Sequence, residues 1–143
     1  MVFEFVEHTG DAAVRMTSPD AGGMVRDAAR ALLTLYVADA AEAVDELPIE
    51  RDLELVAQDP EELLVDLLGE LIWLFDCDGF LCRDIDVRHV SFSEPVRLVA
   101  RLRGETYDAA RHEALTEVKA ATYHGLKIDR TPLGLEATIV FDL

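Results

Sequence analysis

Residues 59–76 read Asp59-Pro60-Glu61-Glu62-Leu63-Leu64-Val65-Asp66-Leu67-Leu68-Gly69-Glu70-Leu71-Ile72-Trp73-Leu74-Phe75-Asp76. Asp59 is placed to cap a helix, and Pro60 suits the first helical position because its missing N–H would find no partner there anyway. Glu61 and Glu62 then lie against the positive end of the helix dipole. The segment that follows is strongly apolar and is expected to stay helical to about Phe75, ending near Asp76-Cys77-Asp78-Gly79.

Working outward toward the C-terminus, Phe80 to Phe92 and Val96 to Glu105 read as two long strands joined at Ser93-Glu94-Pro95. Alternation at Ile85 and Val87, and at Val96, Leu98, Ala100 and Leu102, marks a sheet with one wet face. A polar stretch, Asp108 to Glu113, leads to two further expected strands, Thr116 to Asp129 and Leu135 to Asp142. Thr131-Pro132-Leu133-Gly134 makes the turn between them.

Toward the N-terminus, Glu46 to Ala57 alternates, with Leu47, Ile49, Leu53, Leu55 and Ala57 on one side. Ser18-Pro19-Asp20 opens another helix that runs to about Val37. Its apolar face holds Val25, Ala28, Ala29, Leu32, Leu33 and Tyr36 at helical spacing. Ala12, Val14 and Met16 alternate in a short strand, and Phe3 and Phe5 mark another. The order β-β-α-β-α-β-β-β-β predicts an α+β fold in a single domain, 1–143. Its architecture is a two-layer sandwich, with two main helices packed on one face of a mostly antiparallel mixed sheet of about seven strands.

Half of the 143 residues are apolar, which excludes an intrinsically disordered chain. No run approaches the ~18 apolar residues of a membrane span, and the N-terminus is not a signal peptide, so a cytoplasmic protein is expected. Acids outnumber bases 29 to 13, for a net charge of −16. Such a surface repels phosphate backbones and argues against strong direct nucleic-acid binding. It fits either adaptation to a high-salt cytoplasm or an acidic site for cations or a basic partner. The even spread of acids along the chain favours the first.

Only two bases are lysines, Lys119 and Lys127, and both fall around Tyr123-His124. Cys77 and Cys82 have no second pair to complete a zinc site, and are expected to be reduced and partly buried.

The two chain ends carry the remaining signal. Glu7-His8-Thr9-Gly10-Asp11 stands near the start, and Ile139-Val140-Phe141-Asp142-Leu143 ends on an apolar strand without a polar tail. Asp142 and the α-carboxylate of Leu143 place two acids side by side, and Asp11 supplies a third if the fold closes the ends together. Alone, Asp11 also reads as a turn residue and Asp142 as a solvated strand end. His8 and His124 read equally as packed, hydrogen-bonded histidines. Asp76-Cys77-Asp78-Gly79 lacks the spacing of a calcium loop. His89 and His112 show no constellation, and no phosphate-binding, nucleophile-elbow or dinucleotide-binding pattern occurs.

Taken together, the motifs resemble the archease family. Glu7 to Asp11 is similar to its E-H-T-A-D opening, with Gly10 in place of the usual Ala. Val118-Lys119-Ala120-Ala121-Thr122-Tyr123-His124-Gly125-Leu126 resembles its V-K-A-x-T-Y-H-x-L segment. Ile139 to Leu143 resembles its I-x-F-D-I/V terminus, and Leu71 to Asp76 its central helix.

The resemblance implies a non-enzymatic accessory protein of the GTP-dependent tRNA-splicing RNA ligase, promoting guanylylation of the ligase histidine and multiple turnover. It implies a divalent metal, calcium first and magnesium or manganese otherwise, held by Asp11, Asp142 and the carboxylate of Leu143. Lys119, His8, Tyr123 and His124 are candidates for contact with the partner or a phosphate. The rival readings are a stand-alone metal-dependent hydrolase or nuclease, and a chaperone-like binding module.

Overall fold

The computed structural model describes residues 2–6, 10–42, 44 and 46–143. The elements are β1 (Val2–Val6), β2 (Asp11–Ser18), α1 (Ala21–Tyr36), β3 (Ile49–Ala57), α2 (Pro60–Asp78), β4 (Phe80–Ser91), β5 (Val96–Thr106), β6 (Ala120–Thr122), β7 (Asp129–Thr131) and β8 (Gly134–Asp142).

Both helices start as the sequence predicts. Asp20 accepts the Gly23 N–H at 2.7 Å and Asp59 accepts the Glu62 N–H at 2.7 Å, so each carboxylate satisfies an otherwise orphaned donor. α2 continues three residues past Phe75 and closes on Gly79, whose φ of 65° suits the left-handed cap. One residue of α2 works against it: Gly69, mid-helix, costs roughly 1 kcal/mol relative to alanine.

Every strand pairing is antiparallel, but the strands form two sheets rather than one. The first runs β1-β2-β8-β6, with β7 also on β8; the second runs β3-β5-β4. α1 packs on β2 of one sheet and β4 of the other, while α2 packs on β6 and on all three strands of the second sheet. The helices explain the division. α2 buries Leu63, Leu64, Leu67, Leu68, Leu71, Ile72 and Leu74, an arc wider than the stripe a helix needs against a single layer. The α+β class holds, and the helices form the shared core of both sheets.

The expected strand from Thr116 to Asp129 is not continuous. β6 pairs with residues 140–142 of β8, and β7 pairs with residues 134–136. The chain between leaves the sheet through Tyr123-His124-Gly125-Leu126, where the Leu126 N–H donates to the Tyr123 carbonyl at 2.9 Å and Gly125 takes a φ of 63°. This split raises the strand count among the described residues to eight.

The inward residues of β8 are Leu135, Ala137, Ile139 and Phe141, all buried. Leu143 packs against the same core, so the last residues are held by burial and the strand end does not fray.

Candidate functional site

The chain ends meet in one row of three strands. Asp11, the first residue of β2, lies directly opposite Asp142, the last residue of β8, and on the other side of Asp142 stands Ala120 of β6. Residues paired this way in an antiparallel sheet project from the same face. Asp11 is half-buried and Asp142 exposed, with Leu143 one residue further on. The Lys119 N–H donates to the Asp142 carbonyl at 2.8 Å, so the lysine segment closes over the same corner.

Like charges directly across a strand pair are destabilising unless something balances them. Two carboxylates in register, with a main-chain carboxylate beside them, form an all-oxygen set of the kind a hard divalent cation takes. Among the described residues, no group of three or more His, Cys, Asp or Glu side chains is arranged to hold a metal ion. The third carboxylate of this set comes from the main chain of Leu143.

Of the partner-contact candidates, Lys119 immediately precedes β6 and Tyr123 and His124 follow it, while His8 lies outside the described residues. Lys119 is exposed. Tyr123 is 54 % exposed at the mouth of the turn after β6. Desolvation, then the charges of Asp66, Glu62 and Asp59, raise its phenol above the ordinary tyrosine value. His124 follows it, exposed, its N–H donating to Thr122 Oγ1 at 3.3 Å. Asp76, Cys77 and Asp78 are the last turn of α2, as the rejected calcium loop implied.

One cluster escapes the sequence reading. His112, which showed no constellation, is 2 % exposed and belongs to a buried ion network. The Arg83 Nε donates to Glu105 Oε2 at 2.5 Å and its Nη2 donates to Asp39 Oδ2 at 2.8 Å. Glu105 Oε1 also meets Arg111 and, at 3.3 Å, His112 Nε2. The Asp108 N–H donates to His112 Nδ1 at 2.8 Å, which assigns the proton of the neutral imidazole to Nε2, facing Glu105.

A β-bulge makes this network. Cys82 pairs with Gly104 and Asp84 with Arg103, leaving Arg83 as the extra residue of β4. Gly104 is required there, since a Cβ would lie 2.1 Å from the Leu81 carbonyl oxygen. The charges close on one another and tie the loop after α1 and the 108–112 turn to the second sheet. A glycine in the interior of β5, followed directly by an acid, was the available signal.

Among the described residues no helix is long and apolar enough to cross a membrane. The two cysteines are free. Cys77 is exposed rather than partly buried, because α2 extends far enough to carry it past the core, and Cys82 is half-buried.

Known proteins bear on the whole chain. The family model of the Archease protein family matches residues 3–143. The chain is 38% identical to the protein archease of Methanopyrus kandleri over 144 residues, covering 100% of both. It is 33% identical to that of Pyrococcus abyssi, covering 92% of this chain and 91% of the relative. The solution structure of Methanobacterium thermoautotrophicum protein 1598 superposes with a TM-score of 0.78 at 26% identity, covering 99% of this chain and 98% of that one. A Thermotoga maritima crystal structure, described as an archease and "possible chaperone", shares the fold with a TM-score of 0.67 at 24% identity, covering 96% and 94% of the two chains. With a family match spanning both chain ends, the Asp11–Asp142 corner included, the chain belongs to the archease family.

Proposed function

We propose that this chain activates a GTP-dependent tRNA-splicing RNA ligase, promoting guanylylation of the ligase histidine and multiple turnover, without itself catalysing a reaction. The observation that carries this reading is the register of Asp11 opposite Asp142 at the closed corner of the first sheet. It supports the ligand set that the family resemblance implies: Asp11, Asp142 and the carboxylate of Leu143 hold a divalent cation, calcium first. When bound, such a cation balances the facing carboxylates and offers further positions to water or phosphate oxygens.

The chain's own residues do the rest. Asp11 and Asp142 are fixed by the β2–β8 ladder, so the acidic corner is presented with little conformational freedom to lose on docking. Lys119, whose backbone N–H is held on the Asp142 carbonyl, and Tyr123 and His124, which follow β6, are the candidates for contact with the partner. A partner site that handles GTP carries anionic phosphates, to which a bare acidic corner is repulsive; the role therefore needs the balancing charge.

The test is multiple-turnover RNA ligation by the cognate ligase with GTP, with and without this protein, alongside Asp142→Ala. Stimulation that the substitution abolishes, with the fold intact, supports both the role and the corner. Stimulation that survives Asp142→Ala and chelator favours instead the chaperone suggested for the Thermotoga relative. A nuclease or phosphatase activity of the protein alone favours the hydrolase reading.

A further inference from the structure

The outer face of α2 carries features that the core does not explain. Glu62, Asp66, Gly69, Trp73 and Asp76 follow one another at three- and four-residue spacing and therefore share a side of the helix. Asp66, Gly69, Trp73 and Asp76 are exposed, while the opposite side holds the buried leucines. Trp73 is the single tryptophan of the chain and is 56 % exposed. An indole left in water on a helix face forfeits the burial that normally stabilises it.

Gly69 lies one turn before Trp73. A Cβ added there would meet nothing within 4 Å among the described residues, so no contact among them requires glycine. A helix-interior glycine is usually retained for a packing reason. Here the glycine leaves a notch beside the indole, through which another backbone can approach the helix closely.

The helix that bears the notch carries charge of one sign, with Asp78 at its end paired to Arg51 of β3 at 3.4 Å. From Asp59 to Asp78 the chain contains seven acids and no lysine or arginine. Asp76 and Asp78 stand in the last turn, where the helix dipole disfavours negative charge. Tyr123, 54 % exposed, follows directly on β6, which packs against α2.

We infer that the face formed by Tyr123, Asp66, Gly69 and Trp73 is the surface on which the partner ligase docks, through a segment with an apolar pocket for the indole and a basic rim for the acids. This rests on the proposed function for the identity of the partner. Glu62, Asp66 and Asp76 repel RNA as an occupant and complement a lysine- and arginine-rich protein surface. Trp73 is the anchor, since an exposed tryptophan that becomes buried commonly dominates an interface. The notch at Gly69 sets how closely the ligase backbone approaches, and the acids set orientation and encounter rate.

The experiment titrates the immobilised cognate ligase with wild type, Trp73→Ala, Gly69→Gln and Asp142→Ala, measuring affinity and the concentration giving half-maximal stimulation. Trp73→Ala and Gly69→Gln are each expected to weaken binding about 10-fold or more, with maximal stimulation at saturation unchanged. Gly69→Gln is also expected to melt higher than wild type, because glutamine is the better helix former, so its loss of binding is not a folding defect. Asp142→Ala is expected to bind but fail to stimulate. Wild-type affinity falls as KCl rises if the rim is charged.

Binding of both α2 variants within about twofold of wild type, well below an anchor's usual effect, overturns the docking surface and leaves the proposed function standing. A wild-type protein that neither binds nor stimulates the ligase removes both.

Discussion

Asp11 stands opposite Asp142 where β2 and β8 meet, so the last residue of the N-terminal motif and the penultimate residue of the sequence share one face of one sheet. The pairing places two like charges in register, a destabilising arrangement that a divalent cation reverses. In chelator, Asp142→Asn is expected to melt at or above the wild-type temperature because the repulsion is relieved. With calcium, wild type gains stability, about 2.7 kcal/mol at roughly 100 times the dissociation constant, and Asp142→Asn gains little. Calorimetry with and without calcium, magnesium and manganese checks this. No rise in wild-type melting temperature with any of the three would refute the corner as a metal site.

Arg83 and Glu105 form the second relationship on which stability depends. Both are nearly fully buried, at 8 % and 4 % exposure. Glu105→Ala leaves the Arg83 guanidinium buried with only Asp39 for a partner, an unpaired-charge defect of about 3–5 kcal/mol. Urea denaturation should show the midpoint falling accordingly. Replacing both, Arg83→Met with Glu105→Leu, should recover most of the loss, because an apolar pair needs no counter-charge. A single-variant cost below about 1 kcal/mol would mean that the network is solvated and contributes no more than a surface pair.

The two thiols should react very differently. Cys77 is exposed at the end of α2, whereas desolvation pushes the Cys82 thiol from 9.0 up to about 12. The thiolate is the reactive form, so iodoacetamide at pH 8 should modify Cys77 in the native protein and reach Cys82 only after unfolding. The same shift has a pH consequence. Below pH 9 both folded and unfolded states hold the Cys82 proton, and nothing is lost. Between pH 9 and about 12 the unfolded state releases it first, so stability declines across that window. Mass spectrometry of the labelled peptides, with denaturation at rising pH, measures both effects. Equal labelling of the two cysteines at pH 8 would contradict the burial of the Cys82 sulfur.

Salt should stabilise this protein. The net charge of −16 makes the folded chain repel itself. Exposed pairs such as Arg97–Glu54 and Arg101–Asp52 oppose that repulsion only locally. Raising KCl from about 0.1 M to about 1 M shortens the screening length from ~10 Å to ~3 Å, which weakens the repulsion and the local attractions together. Repulsion among the uncompensated acids outweighs those attractions, so the melting temperature is expected to rise with KCl. A flat or falling curve would show that local ion pairs outweigh the net repulsion.

The helices, their capping acids and the long β4–β5 hairpin were legible because each is specified locally. Asp59 and Pro60 start α2 by side-chain and ring chemistry within one turn, and the alternation from Val96 to Leu102 is a property of one strand. The Thr116 to Asp129 stretch misled for the converse reason. Its apolar alternation suits a strand, but Gly125 adopts a positive φ and turns the chain out of the sheet, and whether a strand continues depends on pairing with β8. Cys77 was placed too deep because which side of the last turn of α2 meets the core is set by packing and not by the helix itself. Arg83 and Glu105 stayed hidden because residues 22 apart are brought together by a bulge that alternation alone does not reveal, and His112 joins them only through the turn that follows β5.

By itself the sequence determined the α+β class, the helix starts, the acidic surface, the family resemblance and the identity of the carboxylates at the chain ends. Each of these follows from composition, from side-chain chemistry within a turn or a strand, or from motifs quoted in order. Only the tertiary structure decided that the strands divide into two sheets around shared helices, that Asp11 and Asp142 stand in register, that a bulge folds Arg83 onto Glu105, and that Trp73 and Gly69 face outward. Those outcomes depend on which strands pair and which helix face finds a core. Both are set by burying apolar area across the whole chain, a quantity that no local window of sequence contains.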